Sequence, residues 1–289
     1  MKFIASLAFT HTSELLELAR TAEACGWDGL MVSDHVVHPE RIETPYPYTP
    51  DGQPRWQASA PWSDPWVAIG AMAAVTSRVR FFTGVYVLPL RNPFLVAKAV
   101  GTAALISGDR VTLGIGAGWM EDEFRLLEQP FERRGARMDE MIEVLRKLWT
   151  GEMVEHHGRF YDFPRLQMSP GVPQRVPIYS GGISAAALRR VGRVSDGWIS
   201  DLHTAEELRR IVAQIRVHRA EHGREREPLD VVAACSDTFG VDGYRRLSEW
   251  GVTHLLTMPW VFYSGASTGL RDKCEGLRRF ADDVIAKLR

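Results

Sequence analysis

The chain has 289 residues, of which 45% are hydrophobic and 25% charged, and its formal net charge is −1. So balanced a charge gives no basic surface for nucleic acid or an anionic membrane, and the expected partner is a small molecule. Its three cysteines lie far apart without a C-x-x-C spacing, which argues against a disulfide framework and favours a reducing compartment. The N-terminal apolar stretch is too short for a signal peptide, and no run reaches the roughly 20 apolar residues of a membrane helix, so we expect a cytoplasmic protein.

Eight short apolar runs, each followed by a segment with helical periodicity, divide the chain. Such runs are typical of parallel strands that are buried on both faces. The helix starts support the division, because Asp64-Pro65 and Asn92-Pro93 place an N-cap acceptor before a proline. Thr204 with Glu207 makes a capping box ahead of another helix. The predicted strands are 3–9, 29–33, 80–88, 111–116, 176–180, 197–200, 229–235 and 253–258.

Eight strands that alternate with helices, in a chain slightly longer than the typical size of about 250 residues, predict a (β/α)8 TIM barrel. We expect it to form a single domain over residues 1–289. A doubly wound open sheet is the alternative, because strand counting does not show closure. In a barrel, the residues that follow each strand lie on the C-terminal rim, where the active sites of such enzymes are found.

Asp34 and His35 follow the second strand and offer a carboxylate and an imidazole on adjacent residues. A neutral histidine exchanges a proton near neutral pH, and a neighbouring acid fixes its tautomer. Adjacent residues of an extended chain point to opposite sides, so the two side chains need not touch. The two residues are therefore either catalytic or an N-capping aspartate beside a solvated histidine.

Two insertions interrupt the alternation of strands and helices. Residues 36–63, which follow the second strand, are rich in Pro, Tyr and Trp, and in a barrel they would hang over the C-terminal face. Residues 151–174 follow the fourth helix and are predicted to form a hairpin extension. We expect its His156 and His157 on the surface, since no third ligand lies at metal-binding spacing, and we predict no metal site.

The stretch GIGAGWMEDEF, residues 114–124, ends the fourth strand. Its glycines follow the spacing G-x-G-x-G and not the G-x-G-x-x-G of a dinucleotide fingerprint. A dinucleotide-binding loop is therefore disfavoured here. The acidic residues 121–123 are interpreted as the first turn of a helix, where they complement its dipole. The chain also lacks the P-loop motif and the G-x-S-x-G elbow of serine hydrolases.

The stretch SGGIS, residues 180–184, combines the end of the fifth strand with a helix start that Ser184 caps. Free N–H groups and the helix dipole would converge there, which suits a phosphate. The alternative is a tight turn whose dihedral angles require glycine. From the residues alone the two interpretations remain equally supported.

Several blocks, in this order, resemble the bacterial luciferase-like monooxygenase superfamily, and most of all its branch of deazaflavin (coenzyme F420)-dependent oxidoreductases. The similarity extends from about residue 1 to 203 and weakens afterwards. The blocks are GWDGLMVSDH (26–35), FFTGVYVLPLRNPFLVAKAVGTAALISGDRVTLGIGAGWMEDEF (81–124), FERRGARMDEMIEVLRKLWTG (131–151), HGRFYDF (157–163) and PIYSGGISAAALRRVGRVSDGWI (177–199).

The resemblance implies that a deazaflavin or a flavin lies across the C-terminal mouth of the barrel. It implies that Gly84-Val85 is a bulge, often a non-prolyl cis peptide, against which the tricyclic ring packs. Gly181 and Gly182 match the backbone phosphate site, with Ser184 beside them. Asp34 and His35 match positions near the reactive centre of the ring, where the histidine is a proton donor or base in some members. Gly116, Gly118 and Trp119 would wall the cofactor pocket.

One departure from the family bears on the substrate. Sugar-phosphate dehydrogenases of this branch carry a glutamate where this chain has Trp119, so glucose 6-phosphate is disfavoured. Trp119 and the aromatic residues of 36–63 indicate an apolar or planar organic substrate. Resemblance also implies a homodimer.

Three functions follow as hypotheses. The first is an oxidoreductase that transfers a hydride between coenzyme F420 and the substrate, with His35 managing the coupled proton. The second is an FMN-dependent monooxygenase on the same scaffold, and the third is a non-catalytic flavin-binding protein. The loop after the eighth strand, with Trp260, Phe262, Tyr263 and the stretch SGASTG, is either a lid or a simple connection.

Overall fold

The computed structural model of the chain describes residues 1–265 and 269–289. Residues 266–268, in the stretch SGASTG, lie outside this description. The strands are β1 (Lys2–Ser6), β2 (Gly29–Val32), β3 (Arg80–Thr83), β4 (Tyr86–Val87), β5 (Val111–Gly116), β6 (Met153–His157), β7 (Asp162–Gln167), β8 (Ile178–Gly181), β9 (Gly197–His203), β10 (Asp230–Cys235) and β11 (His254–Thr257).

Eight of these strands form a closed parallel barrel. Their order around it is β1, β2, β3, β5, β8, β9, β10, β11, and β11 pairs back to β1, with Phe3 opposite Leu255. The predicted (β/α)8 barrel is therefore confirmed, and the open sheet is excluded. In this ring β2 and β9 stand on opposite sides, a relation that matters for the active site.

Each predicted strand contains one barrel strand, but several ends differ. The first run leaves the strand after Ser6, since Phe9 adopts a left-handed φ of 59°. The run 80–88 is interrupted, because β3 ends at Thr83 and the peptide bond between Gly84 and Val85 is cis. Strand β9 continues to His203, beyond its predicted end at residue 200.

The helices fill the connections between strands, and their predicted caps are confirmed. Asp64 accepts from the N–H groups of Trp66 and Val67, and Thr204 forms the capping box with Glu207. Among the described residues, no helix combines the length and apolar character that crossing a bilayer requires. The α-helices are α1 (Leu15–Ala24), α2 (Pro65–Ala73), α3 (Pro93–Ser107), α4 (Glu121–Leu126), α5 (Arg134–Trp149), α6 (Ala185–Val194), α7 (Ala205–Glu221), α8 (Gly240–Glu249), α9 (Val261–Ser264), α10 (Leu270–Phe280) and α11 (Ala286–Leu288).

Apolar side chains fill both faces of the barrel wall, as expected for parallel strands. One cluster combines inward-facing residues of six strands, and a second, larger cluster lies between the strands and the helices. The first cluster consists of Ile4, Met31, Phe82, Tyr179, Ile199 and Val232.

The hairpin predicted after the fourth helix is confirmed as β6 paired antiparallel with β7. The expectation that both of its histidines lie on the surface is wrong for His156, which is buried. Its Nε2 lies 3.3 Å from Glu140 on α5, because the hairpin packs against that helix. His157 is exposed and contacts Asp162. Among the described residues no three His, Cys, Asp or Glu side chains form a metal-binding group.

Acidification should destabilise the protein through His254, which is buried at the start of β11. Burial lowers its pKa from 6.5 to about 4. The folded state therefore keeps the neutral His254 ring. Its full stability is present above pH 6.5, where the ring is neutral in both folded and unfolded chains, and stability is lost as the pH falls towards 4. We expect the free energy of unfolding in urea to decrease by up to about 1.4 kcal/mol per pH unit in that range. His254→Asn should flatten this slope, whereas the exposed control His222→Asn should retain it.

Candidate active site

His35 and Glu123 form a buried hydrogen-bonded pair at the C-terminal rim. His35 lies just beyond β2, and Glu123 lies in the first turn of α4, which follows β5. The His35 Nδ1 is 3.1 Å from the Glu123 Oε2, and the two side chains are only 9% and 2% exposed. The other Glu123 oxygen accepts from the backbone N–H of Val36. These bonds fix the imidazole ring and leave its Nε2 as the nitrogen not engaged by Glu123.

The environment of Glu123 keeps it ionised. Burial raises its pKa, but hydrogen bonds from His35 and from the N–H groups of Val36 and Val37 outweigh that effect, and the pKa is lowered overall. An ionised carboxylate accepts a proton donor, so His35 carries its hydrogen on Nδ1 when neutral. The sequence interpretation of 121–123 as a dipole-complementing turn missed this pair. The strand order brings the ends of β2 and β5 close together, because both strands pair with β3.

Asp34 faces away from this pair and belongs to a different interaction. Its two carboxylate oxygens lie 2.6 and 2.7 Å from the guanidinium nitrogens of Arg91, and one of them also accepts from the N–H of Val87 at 2.8 Å. Burial raises the pKa of Asp34, an effect that Arg91 opposes. With both oxygens occupied, Asp34 ties the end of β2 to β4, while its catalytic role stays a prediction.

An aromatic cluster surrounds the His35 ring. It consists of Phe9, Tyr46, Trp56, Trp62 and Trp119. The ring centroid of His35 lies 4.8 Å from Trp62, 5.2 Å from Trp56 and 6.0 Å from Trp119. The structure therefore brings together two residues predicted separately, His35 and Trp119. Three of the aromatic residues of 36–63, which the sequence indicated together with Trp119, lie in the same cluster.

The insertion after β2 is a crossing segment, residues 36–63, that contains no helix or strand and spans the mouth of the barrel. On one side Asp122 accepts from the N–H groups of Glu43 and Thr44. On the far side Arg55 pairs with both oxygens of Asp201 in β9 at 2.9 Å. Because β9 stands opposite β2, these contacts hold the segment across the whole opening.

Glycines shape the floor of the mouth around Val85. A Cβ atom placed on Gly116 would lie 2.6 Å from the Val85 side chain, and one placed on Gly181 would lie 2.8 Å from it. Gly84 and Val85 themselves remain partly exposed. The structure thus brings four predicted residues together, Gly84, Val85, Gly116 and Gly181. We call this surface the ledge: it is made of backbone, and Val85 supplies its side chain.

Gly118 has a structural role next to this ledge. Its φ is +84°, and a Cβ atom there would lie 2.6 Å from both Phe124 and Val87. Its carbonyl accepts from Arg134 Nε at 2.8 Å. Glycine is therefore required at 118 by the turn between β5 and α4 and by the packing against it.

The turn between β8 and α6 presents an exposed helix N-terminus. Gly182 has a φ of +94°, Ser184 caps the N–H of Ala187, and no acidic residue lies in the first turn. Trp198 donates its indole N–H to the Gly182 carbonyl and stacks on His203. The His203 Nε2 is buried and has no hydrogen-bond partner among residues 1–265 and 269–289.

Comparisons with known proteins identify the family. The chain is 39% identical to an uncharacterized protein of Mycobacterium tuberculosis over 290 residues, with 100% of both covered. It is 30% identical over 277 residues to an F420-dependent glucose-6-phosphate dehydrogenase of Nakamurella multipartita, covering 94% of this chain and 76% of that protein. A coenzyme F420-dependent tetrahydromethanopterin reductase from Methanopyrus kandleri shares the fold, with a TM-score of 0.77 and 16% identity over 100% of this chain and 99% of that one. The profile of the luciferase-like monooxygenases matches residues 3–237, so the chain belongs to the luciferase-like monooxygenase family.

Proposed function

We propose that the protein is an oxidoreductase that transfers a hydride between coenzyme F420 and a small, apolar or planar organic substrate. The observation that carries the proposal is the buried pair of His35 and Glu123, which lies beneath aromatic side chains at the mouth of the barrel. The 30% identical relative named as F420-dependent supports the choice of cofactor. When bound, the deazaflavin accepts or donates the hydride, and the protein supplies orientation and proton transfer.

The residues of the mouth fit such a group. The partly exposed ledge of Gly84 and Val85 offers a flat surface to a tricyclic ring, with Gly116 and Gly181 free of side chains beside it. The exposed N-terminus of α6, after Gly182, offers backbone N–H groups and a positive dipole end to a phosphate. The buried His203 Nε2, which has no partner in the part of the chain that the structure describes, is a further polar atom near this turn.

His35 holds or delivers the proton that accompanies hydride transfer. Glu123 fixes the Nδ1–H tautomer, so Nε2 is the atom that exchanges a proton with a substrate oxygen. Trp119, Trp56 and Trp62 exclude water around the ring and offer apolar surfaces. By resemblance, Trp119 stands where the sugar-phosphate dehydrogenases of this branch carry a glutamate, which supports a planar compound over a sugar phosphate.

Glu123 is a positioning residue, and Glu123→Gln should lower kcat/KM by about 10- to 100-fold. A hydrogen bond to a charged group contributes about 1.5–3 kcal/mol, and each 1.36 kcal/mol changes a rate tenfold. The matched control is Glu121→Gln, an exposed carboxylate two positions away in α4, which should retain wild-type kinetics. Equal rates for both variants would contradict the role of Glu123.

The cofactor is tested by titrating the purified protein with oxidised F420 and, separately, with FMN while following tryptophan fluorescence. Micromolar or tighter binding of F420 alone, about −8 kcal/mol or better, would support hydride transfer. A panel of planar ketones, quinones and alcohols, followed through the visible absorbance of the cofactor, would then identify a substrate. Preference for FMN would favour the monooxygenase, and binding of neither would contradict the proposed phosphate site at Gly181 and Gly182.

The homodimer and the cytoplasmic location are also proposals. Light scattering after gel filtration tests the first, since a dimer has twice the 32.5 kDa mass of the chain. Fractionation of cells that express the protein tests the second.

A further inference from the structure

Trp56 is the member of the aromatic cluster whose indole N–H is both buried and without a hydrogen-bond partner among the described residues. Its ring lies 5.2 Å from His35, 5.2 Å from Trp62 and 5.3 Å from Tyr46, measured between centroids. The indole Nε1 is buried, yet within residues 1–265 and 269–289 it has no hydrogen-bond acceptor. Burying an N–H group without an acceptor is destabilising, so such a group at the edge of an active site points to a ligand atom.

The neighbours of Trp56 give it only weak acceptors. Tyr46 and Trp62 meet its ring edge-to-face, at interplanar angles of 84° and 71°, and aromatic faces accept N–H groups weakly. The carboxylates of the site are already engaged, Glu123 by His35 and backbone N–H groups and Asp201 by Arg55. An oxygen atom placed among these rings would therefore be the strongest acceptor available to the indole.

The charges around the site define the chemistry of that oxygen. The Glu123 carboxylate lies directly behind His35, 3.1 Å from its Nδ1. Arg55, the cation next to Trp56 in the chain, is already paired with both oxygens of Asp201. A carboxylate or phosphate is therefore disfavoured at this point. The surrounding rings favour a planar carbon skeleton. A neutral carbonyl oxygen on such a skeleton satisfies both conditions.

We propose that the indole N–H of Trp56 donates a hydrogen bond to a neutral carbonyl oxygen of a planar organic substrate beside His35. Trp56 is thus a specificity-determining residue contributed by the crossing segment. This inference rests on the proposed function, since it names the substrate class of the same site. It adds a donor that selects compounds with an oxygen at this position over hydrocarbons of equal size.

The test uses two probes that differ in one group, acetophenone and ethylbenzene, and the intact protein labelled with ¹⁵N. The nine tryptophans give indole N–H signals, and the spectra of Trp56→Phe, Trp62→Phe and Trp66→Phe assign three of them. We expect acetophenone, but not ethylbenzene, to shift the Trp56 signal. The Trp66 signal, from a buried indole that packs against Tyr86 outside the cluster, should not respond.

Affinities complete the test. Wild type should bind acetophenone about tenfold more tightly than ethylbenzene, the ratio expected from one net hydrogen bond. Trp56→Phe should lose this preference, whereas Trp62→Phe, which changes the same ring type in the same cluster, should retain it. A Trp56 signal that shifts equally with both probes, a preference that survives in Trp56→Phe, or no binding of acetophenone by wild type would overturn the proposal.

Measuring the probes with and without F420 separates the two proposals. Failure to bind F420 would contradict the proposed function, and the response of Trp56 to acetophenone would still test the role of Trp56. Normal binding of F420 by wild type, together with an unresponsive Trp56 signal, would instead remove only the role of Trp56.

Discussion

Replacing His35 with alanine should reduce kcat/KM by about 10²- to 10⁴-fold, the range that a positioned general acid or base contributes. Glu123 holds the Nδ1 of this ring, and the ring centroid lies 4.8–6.0 Å from those of three tryptophans. The cofactor packs against the ledge at Val85 and the turn at Gly182 in our proposal. The dissociation constant of the cofactor in His35→Ala should therefore change by less than about threefold, because the substitution affects the chemical step and not the binding of the cofactor.

The measurement is steady-state kinetics with the substrate found in the panel, together with the F420 titration of each variant. His157→Ala is the control, because it removes an exposed histidine from the hairpin of β6 and β7. A non-catalytic flavin-binding protein would show the same rates for wild type and for both variants. If His35→Ala loses both F420 binding and activity, His35 belongs to the cofactor site instead.

Replacing Arg91 with alanine should destabilise the fold by about 3–5 kcal/mol, since removing one partner leaves an uncompensated buried charge. Asp34 has a side chain that is 1% exposed, and Arg91 supplies two of its three hydrogen bonds. Arg91 also stacks on Tyr86, with its guanidinium carbon 4.3 Å from the ring centroid, and this contact would be lost as well.

Urea unfolding measures this effect, with two further variants for comparison. The double change Asp34→Asn with Arg91→Met should recover part of the loss, because it removes the charge that would otherwise stay unpaired. Arg20→Ala, which breaks an exposed ion pair with Glu17, should change stability by less than about 1 kcal/mol. A small effect of Arg91→Ala would show that water reaches Asp34.

The barrel was predictable because its signals are local. Continuous apolar runs, N-cap residues such as Asp64 and Asn92, and the capping box at Thr204 each depend on a few neighbouring residues. The strand ends were less predictable. The interruption of the run 80–88 at Gly84 was implied only by the family resemblance, and the cis bond there confirms it. The apolar pattern did not indicate it, because it depends on another strand: a Cβ atom on Gly84 would collide with Met31 of β2.

The candidate site was predictable only in part, because its central contacts join distant residues. His35 and Trp119 were identified, but the partner of His35 lies 88 positions along the chain. The bidentate bond from Arg91 to Asp34 spans 57 positions, and nothing near Asp34 in sequence indicates that its carboxylate is occupied. Aromatic composition indicated that the crossing segment contributes to a site, without showing that Trp56 and Trp62 lie against His35.

The crossing segment also has a kinetic consequence. It lies over a His35 side chain that is only 9% exposed, and Arg55 fastens it to Asp201 on the opposite wall of the barrel. Any molecule that reaches His35 from solvent has to displace this cover, and so does any product that departs. The residence time of a ligand is therefore coupled to the lifetimes of the contacts that hold the segment, which are the ion pair between Arg55 and Asp201 and the bonds to Asp122.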